Sequence, residues 1–277
     1  RPGVFGYYYA KLRARYAIIN ERFPSHVRHW INQDDLKAKL DAHSYSCDAD
    51  VLDLPPITEQ HVEFDMSAKA RRAYDELETH LVAQVDSGEI TVANALVKLL
   101  RLQQMTSGFV NWQEDGDAEK RFERLDSEKE MLLEDLLKDV DRPAVVFCRF
   151  VEDLRAVERV ALRIGRKYGE LSGSRRDLTE HAEMLPGVEL MGVQIQSGGV
   201  GIDLTRASYA FYYSLGFSLG DYQQSIARLH RPGQTRHVHV LHLIARKSVD
   251  VKVHQALAAR KRVIDYVLDD MKGESEQ

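Results

Sequence analysis

From Pro143 onward the chain alternates short apolar runs with longer amphipathic stretches, and this alternation narrows the possible folds more than any other feature. PAVVFCR (143–149), VELMGVQIQ (188–196), ASYAFYYS (207–214) and HVHVLHLIA (237–245) are rich in β-branched and aromatic residues and read as buried strands. Residues 151–169 and 174–185 carry apolar positions at helical spacing, a further helix precedes 237, and another runs from Ser248 to Leu268. Strands separated by helix-length crossovers pair in parallel, and a parallel sheet is covered on both faces. The predicted class is α/β, a parallel sheet with helices on both sides.

Upstream of this lobe the pattern changes. Residues 1–54 read as short helices and turns, with YYYAKLRARY (7–16) and DDLKAKL (34–40) as the helical pieces. Leu54-Pro55-Pro56 marks a boundary, because consecutive prolines favour an extended connector. EQHVEFDM (59–66) alternates as a strand, and helical patterns follow from Ser67 to Asp86 and from Ala93 to Met105. A polar stretch at 111–121 precedes a helix opened by Ser127, with Glu130 three residues on as a capping-box partner. The expected division is 1–54, then a connector, strand and helical insertion over 55–140, the sheet lobe over 141–271, and a frayed tail at 272–277.

Composition excludes several classes. With 277 residues, 44% hydrophobic and 29% charged, the chain has room for one large or two modest domains with an ordinary core. It has no apolar run long enough to span a bilayer and no signal-peptide pattern at its start. Cys47 and Cys148 lie far apart outside any C-x-x-C, so neither a disulfide framework nor a zinc site is indicated and a reducing compartment fits. The net charge of −5 argues against an indiscriminately basic nucleic-acid binder. Two basic clusters stand out locally, Arg163, Arg166, Lys167, Arg175 and Arg176, then Arg260, Lys261 and Arg262, although such clusters are most often solvated faces.

Val193 to Thr235 carries the chemistry. Gly198, Gly199 and Gly201 permit a tight turn and close backbone approach to a ligand, and Asp203 follows them. The third glycine of a dinucleotide fingerprint is replaced by Leu204. Farther on, Gln224, Arg228 and Arg231 recur at spacings of four and three, which predicts one amide and two guanidinium groups on a single helical stripe. Tyr222, Ile226 and Leu229 form the opposing apolar stripe, and Pro232 is expected to end the helix at Arg231. Paired arginines at a helix end suit the charge of a triphosphate during γ-phosphoryl transfer. None of the 17 glycines is followed by lysine, so a P-loop is absent, and the Asp75-Glu76 step lies in a helical pattern instead of at a strand end.

GGVGIDLTRA (198–207) and QSIARLHRPGQT (224–235) resemble motifs V and VI of the superfamily-two helicase-like ATPases, in the Swi/Snf branch. Pro232 fills the slot between Arg231 and Gly233, and the style is similar to short bacterial and phage members. The resemblance implies a RecA-like second motor lobe, with 1–54 closing the first lobe and the helical insertion forming a protrusion. It assigns Arg228 and Arg231 to the γ-phosphate and Gly199, Gly201 and Asp203 to the nucleotide, with Gln224 and Gln234 orienting the network. Nucleic-acid contacts fall to Arg149, the Ser172-Gly173 turn, Arg175, Arg176, Gln196 and Ser197. ATP with Mg²⁺, bound jointly with a first RecA-like lobe, and double-stranded DNA are the implied ligands. The location would be cytoplasmic in a prokaryotic or phage-infected cell, or nuclear in a eukaryote. Lacking the phosphate cradle, the chain reads as a fragment that does not hydrolyse ATP by itself. A strand-separating helicase and a non-catalytic nucleic-acid or partner-binding module remain as alternatives. His237, His239 and His242 read as ordinary sheet histidines, no metal site is assigned, and Trp30, Trp112 and Tyr7 to Tyr9 read as packing residues.

Overall fold

The computed structural model describes residues 8–19, 27–44, 52–86, 92–112, 121–197 and 201–259, and the chain divides into two compact units, Arg1–Asp53 and Leu54–Gln277. In the first unit, helix α1 (Tyr9–Tyr16) leads into an antiparallel pair, β1 (Ala17–Ile19) and β2 (Val27–Trp30), and then α2 (Gln33–Asp41). The buried Tyr16 hydroxyl donates to Asp35 (2.6 Å) and accepts from Lys39 (2.9 Å), which pins α2 to α1. Tyr8, Tyr9 and Trp30 are 71%, 69% and 49% exposed, so they are surface residues and not the packing residues expected from the sequence. Tyr7 lies outside the described residues.

The second unit is built on six parallel strands: β3 (Ile57–Phe64), β6 (Ala144–Cys148), β7 (Tyr168–Leu171), β8 (Leu190–Gln194), β9 (Tyr209–Tyr212) and β10 (Val238–Ala245), ordered β3-β10-β9-β6-β8-β7. The antiparallel hairpin β4 (Phe109–Trp112) and β5 (Arg121–Arg124) stands apart. Alternation along each strand feeds two cores. Val145, Phe147, Val193 and Val240 pack against Tyr74 and Leu81 of α3 (Ala68–Asp86), Leu99 and Leu102 of α4 (Val92–Thr106), and Val253 and Leu257 of α8 (Val249–Ala258). Ala144, Val146, Leu190 and Phe211 pack on the other face against Leu133 and Leu137 of α5 (Glu128–Lys138) and Leu154, Val157 and Val160 of α6 (Val151–Arg163). The strand read at 59–66 spans 57–64 and, although assigned outside the sheet lobe, is an edge strand of the same sheet, paired with β10 along its length.

Three local readings change. Residues 174–185 form turns and isolated bridges in place of a helix. Polar side chains capture the backbone there, with Asp177 accepting from Glu170 N, Ser172 from Arg175 N, and Thr179 from Glu183 N. The capping box is not formed: Ser127 makes no side-chain cap on α5, and the Glu130 carboxylate pairs with Arg124, Arg159 and Arg163. The basic cluster is likewise mostly internal bracing. Arg163 pairs with Glu134 (2.6 Å), Arg166 donates to the carbonyls of Leu137 and Arg142, and Arg175 pairs with Asp177 (2.6 Å) and Glu158 (3.4 Å). The Arg260–Arg262 cluster and the 272–277 tail lie outside the described residues.

Candidate functional site

The segment after β9 reaches helix α7 (Leu219–Ile226), capped at its start by Ser218, whose hydroxyl accepts from Asp221 N (3.2 Å). The helix ends at Ile226, five residues before the end expected from the sequence. Pro232 has no N–H to offer the Arg228 carbonyl four residues earlier, and that carbonyl accepts instead from Leu204 N (3.0 Å). Arg228 and Arg231 therefore sit on the turns beyond the helix, not on a helical stripe with Gln224. Gln224 is exposed on the helix and joins none of the contacts that hold the arginines.

Those contacts run to the glycine turn. Arg231 Nε lies 4.0 Å from Asp203 Oδ2, and its Nη1 donates to the Ile202 carbonyl (3.3 Å). The other Asp203 oxygen accepts from the Thr205 amide (2.8 Å) and hydroxyl (2.6 Å), which fixes the carboxylate towards the arginine. Both charged groups are more than 30% exposed, so the pair is worth at most about 1 kcal/mol and can part readily. Arg228 differs in being only 7% exposed, and burial holds its guanidinium below the usual arginine range. Gln234 is buried, and its amide donates to the carbonyls of Thr205 (3.1 Å), Ala207 (2.9 Å) and Leu229 (3.2 Å). It clamps one loop to the other. Gly201 has φ +93°, a conformation that demands glycine, while Gly199 lies outside the described residues.

A second group gathers where β6, β7 and β8 end. The Ser172 hydroxyl donates to Glu170 (2.6 Å) and accepts from Ser174 N and Arg175 N, shaping the turn. Gly173 N and the Ser197 hydroxyl both donate to Gln194 Oε1, at 3.4 and 2.7 Å, so Gln194 joins the two turns. Sequence reasoning passed over Gln194, although a polar residue closing the apolar run LMGV was a usable signal. Gln196 is exposed beside Ser197, and Arg176 is exposed on the turn that follows Gly173. Arg149 is turned inward, donating to Gln103 of α4 and lying 4.2 Å over the Phe217 ring, and burial pushes its guanidinium down to about 10. The structure thus brings together Ser172, Gly173, Gln196, Ser197 and Arg176, but engages Arg149 and Arg175 in internal contacts.

Behind α7 lies a network absent from the sequence reading. Tyr222 donates to Glu59 (3.0 Å) and meets His242 Nε2 at 3.2 Å, while Tyr212 and Ser225 hydroxyls lie 2.5 Å apart. Tyr222 is therefore a polar anchor of the helix as well as part of its apolar stripe.

Residues 128–233 match the family described as the helicase conserved C-terminal domain. The ATP-dependent helicase FUN30 of Saccharomyces cerevisiae is 29% identical over 149 residues, covering 52% of this chain and 13% of its own length. Helicase SWR1 of Gibberella zeae is 26% identical over 160 residues, covering 55% and 10%. The chain thus spans about a tenth of the length of these relatives, and both are fungal, lending no support to the bacterial or phage style read from the sequence. The C-terminal part of the Fun30 ATPase domain superposes with a TM-score of 0.59 at 18% identity, covering 80% of this chain and 99% of that one. The Sulfolobus solfataricus SWI2/SNF2 ATPase core in complex with dsDNA gives 0.57 at 20% identity, covering all of this chain and 59% of that one. Residues 128–233 thus match a helicase C-terminal domain, and the fold around them is similar to that of the SWI2/SNF2 ATPase structures.

Proposed function

We propose that the chain is the second motor lobe of an ATP-dependent double-stranded-DNA translocase, working against a first RecA-like lobe of the same protein. The observation that carries this reading is Arg231, half-exposed and tethered to Asp203 by a weak pair beside a glycine turn. Triphosphate oxygens offer a guanidinium better partners than a carboxylate at 4.0 Å, so Arg231 can exchange Asp203 for the nucleotide when the lobes close. Arg228, buried at the base of the same turns, acts as fixed positive charge behind it. The DNA side is the surface shaped by Ser172, Gly173 and Ser197, where the exposed Gln196 amide and Arg176 guanidinium suit phosphates and not base edges. ATP and Mg²⁺ would be held jointly with that first lobe. A nuclear location follows the fungal relatives and remains part of the proposal.

ATP turnover by the complete protein tests this. Arg231→Ala should lower hydrolysis by roughly 10³–10⁵, the usual contribution of an arginine finger, and leave DNA binding nearly intact. Arg231→Lys should fail similarly, because a point charge does not reproduce the guanidinium fork. The 277-residue chain alone, without a Gly-Lys phosphate cradle, should show no turnover. A lysine variant near wild-type activity would reduce Arg231 to a structural role.

A further inference from the structure

Every lining segment of one basic pocket immediately precedes a parallel strand. Residues 141–143 lead into β6, 187–189 into β8, Arg206 lies shortly before β9, and Arg236 shortly before β10. Because the strands are parallel, the pocket opens at their starting ends, away from the Ser172 and Ser197 turns at the finishing ends of β7 and β8. Its volume is about 380 Å³, within the range of small-ligand sites.

The charges are arranged in two tiers. Arg206 donates both Nη groups to the carbonyls of Leu185 and Val188, and Arg166 donates to those of Leu137 and Arg142, so backbone holds both guanidiniums in place. The buried Arg206 Nε has no acceptor among the described residues, and burial lowers the pKa of the group. Arg142 and Arg236 are exposed at the rim, where Arg142 Nε lies 3.6 Å from Asp141 and its guanidinium keeps donors to spare. The Lys167 ammonium lies beside Gly187, 3.5 Å from where a side chain would begin there. Asp141 and Glu189 are the acidic lining residues, so four lining arginines, with Lys167 beside them, face two carboxylates in a chain whose net charge is −5. Such local excess is stabilised by an anion and is otherwise self-repelling.

We propose that this pocket is a second anion site, taking a phosphate-type oxyanion on the Arg142 and Arg236 forks over the fixed charges of Arg166 and Arg206. The ligand is a phosphate group, supplied either by a nucleic-acid backbone or as a free polyphosphate. The site is independent of the motor reading, since it uses none of the residues assigned to nucleotide.

Inorganic pyrophosphate is the probe, titrated calorimetrically into the chain and followed by thermal melting at ionic strength matched with sodium chloride. Pyrophosphate should raise the melting temperature beyond the chloride control. The Arg142→Glu, Arg236→Glu double variant should weaken binding at least tenfold, with an unchanged melting temperature in the absence of pyrophosphate because both side chains are exposed. Displacement of bound pyrophosphate by a short DNA duplex would identify the nucleic-acid source, and retention the free anion, both with the site intact. Binding that is absent, or equal in wild type and double variant, would overturn the proposal. So would binding that survives the double variant and disappears in Arg231→Ala, which would place the anion at the Asp203–Arg231 turns.

Discussion

His254 illustrates how a single residue couples fold and environment. Its ring packs edge-on against His242 at 4.6 Å and against His61 at 5.0 Å. Burial, and then those two neighbours, hold its pKa down to about 2, and burial also lowers that of His242. The folded state therefore favours both rings neutral, while the unfolded chain binds protons from about pH 6.5 downward. Stability should be full above that pH and fall below it, by up to about 1.4 kcal/mol per pH unit for each buried ring. Urea unfolding at pH 7.5 and 5.5 should show this loss, with His254→Leu flattening it; an identical pH slope in the variant would remove His254 from the account. Of the histidines read from the sequence as sheet residues, His239 and His242 lie on β10, while His237 precedes the strand and stacks on His239 at 4.4 Å. Sequence reasoning did not foresee His254 or His61, because their meeting depends on how α8 crosses β3 and β10, and no local spacing encodes that.

At the scale of elements, apolar alternation predicted the strands well, and polar punctuation predicted their connections badly. The run AVVFC is wholly buried as read, since every residue packs on one core or the other. Residues 174–185 have helical spacing, yet Ser172 and Thr179 side chains take the Arg175 and Glu183 amides, and Asp177 ties the segment back to Glu170 N. The end of α7 was misplaced for a related reason. Pro232 restricts its own neighbour Arg231, but the loss of its N–H is felt four residues earlier, where Leu204 N and Gln234 take the carbonyls of Arg228 and Leu229. This gives Gln234 a measurable role. Gln234→Ala would strip partners from the Thr205, Ala207 and Leu229 carbonyls and leave buried acceptors unsatisfied, at about 1–3 kcal/mol for each that stays so. Denaturant unfolding should report a loss of about 2 kcal/mol or more on that scale. In the complete protein, hydrolysis should fall even where folding is restored by lower temperature, because the loop carrying Arg231 is no longer tied to the glycine turn. Unchanged stability would mean that Gln234 is dispensable to the join.

For the molecule as a whole, net charge and local geometry together determine what DNA binding can look like. A chain at −5 gains nothing from long-range attraction to phosphate, so affinity must come from a few contacts on one surface. The sequence suggested Arg175 and Arg176 as equals, and the structure separates them. Arg175 is committed to Asp177 and Glu158, whereas Arg176 is exposed on the same turn. Reversal of Arg176 to glutamate should therefore weaken duplex binding without loss of stability. Arg175→Glu should chiefly destabilise the turn, through repulsion from the two carboxylates it now pairs with. If Arg176 meets one phosphate, Arg176→Glu should lower the slope of log affinity against log salt by about one unit, equally for unrelated duplex sequences. Fluorescence anisotropy over a salt series, with two duplexes of equal length and different sequence, measures this directly. A change in affinity confined to one sequence, or equal effects from Arg175→Glu and Arg176→Glu at matched stability, would contradict a backbone contact made by Arg176 alone.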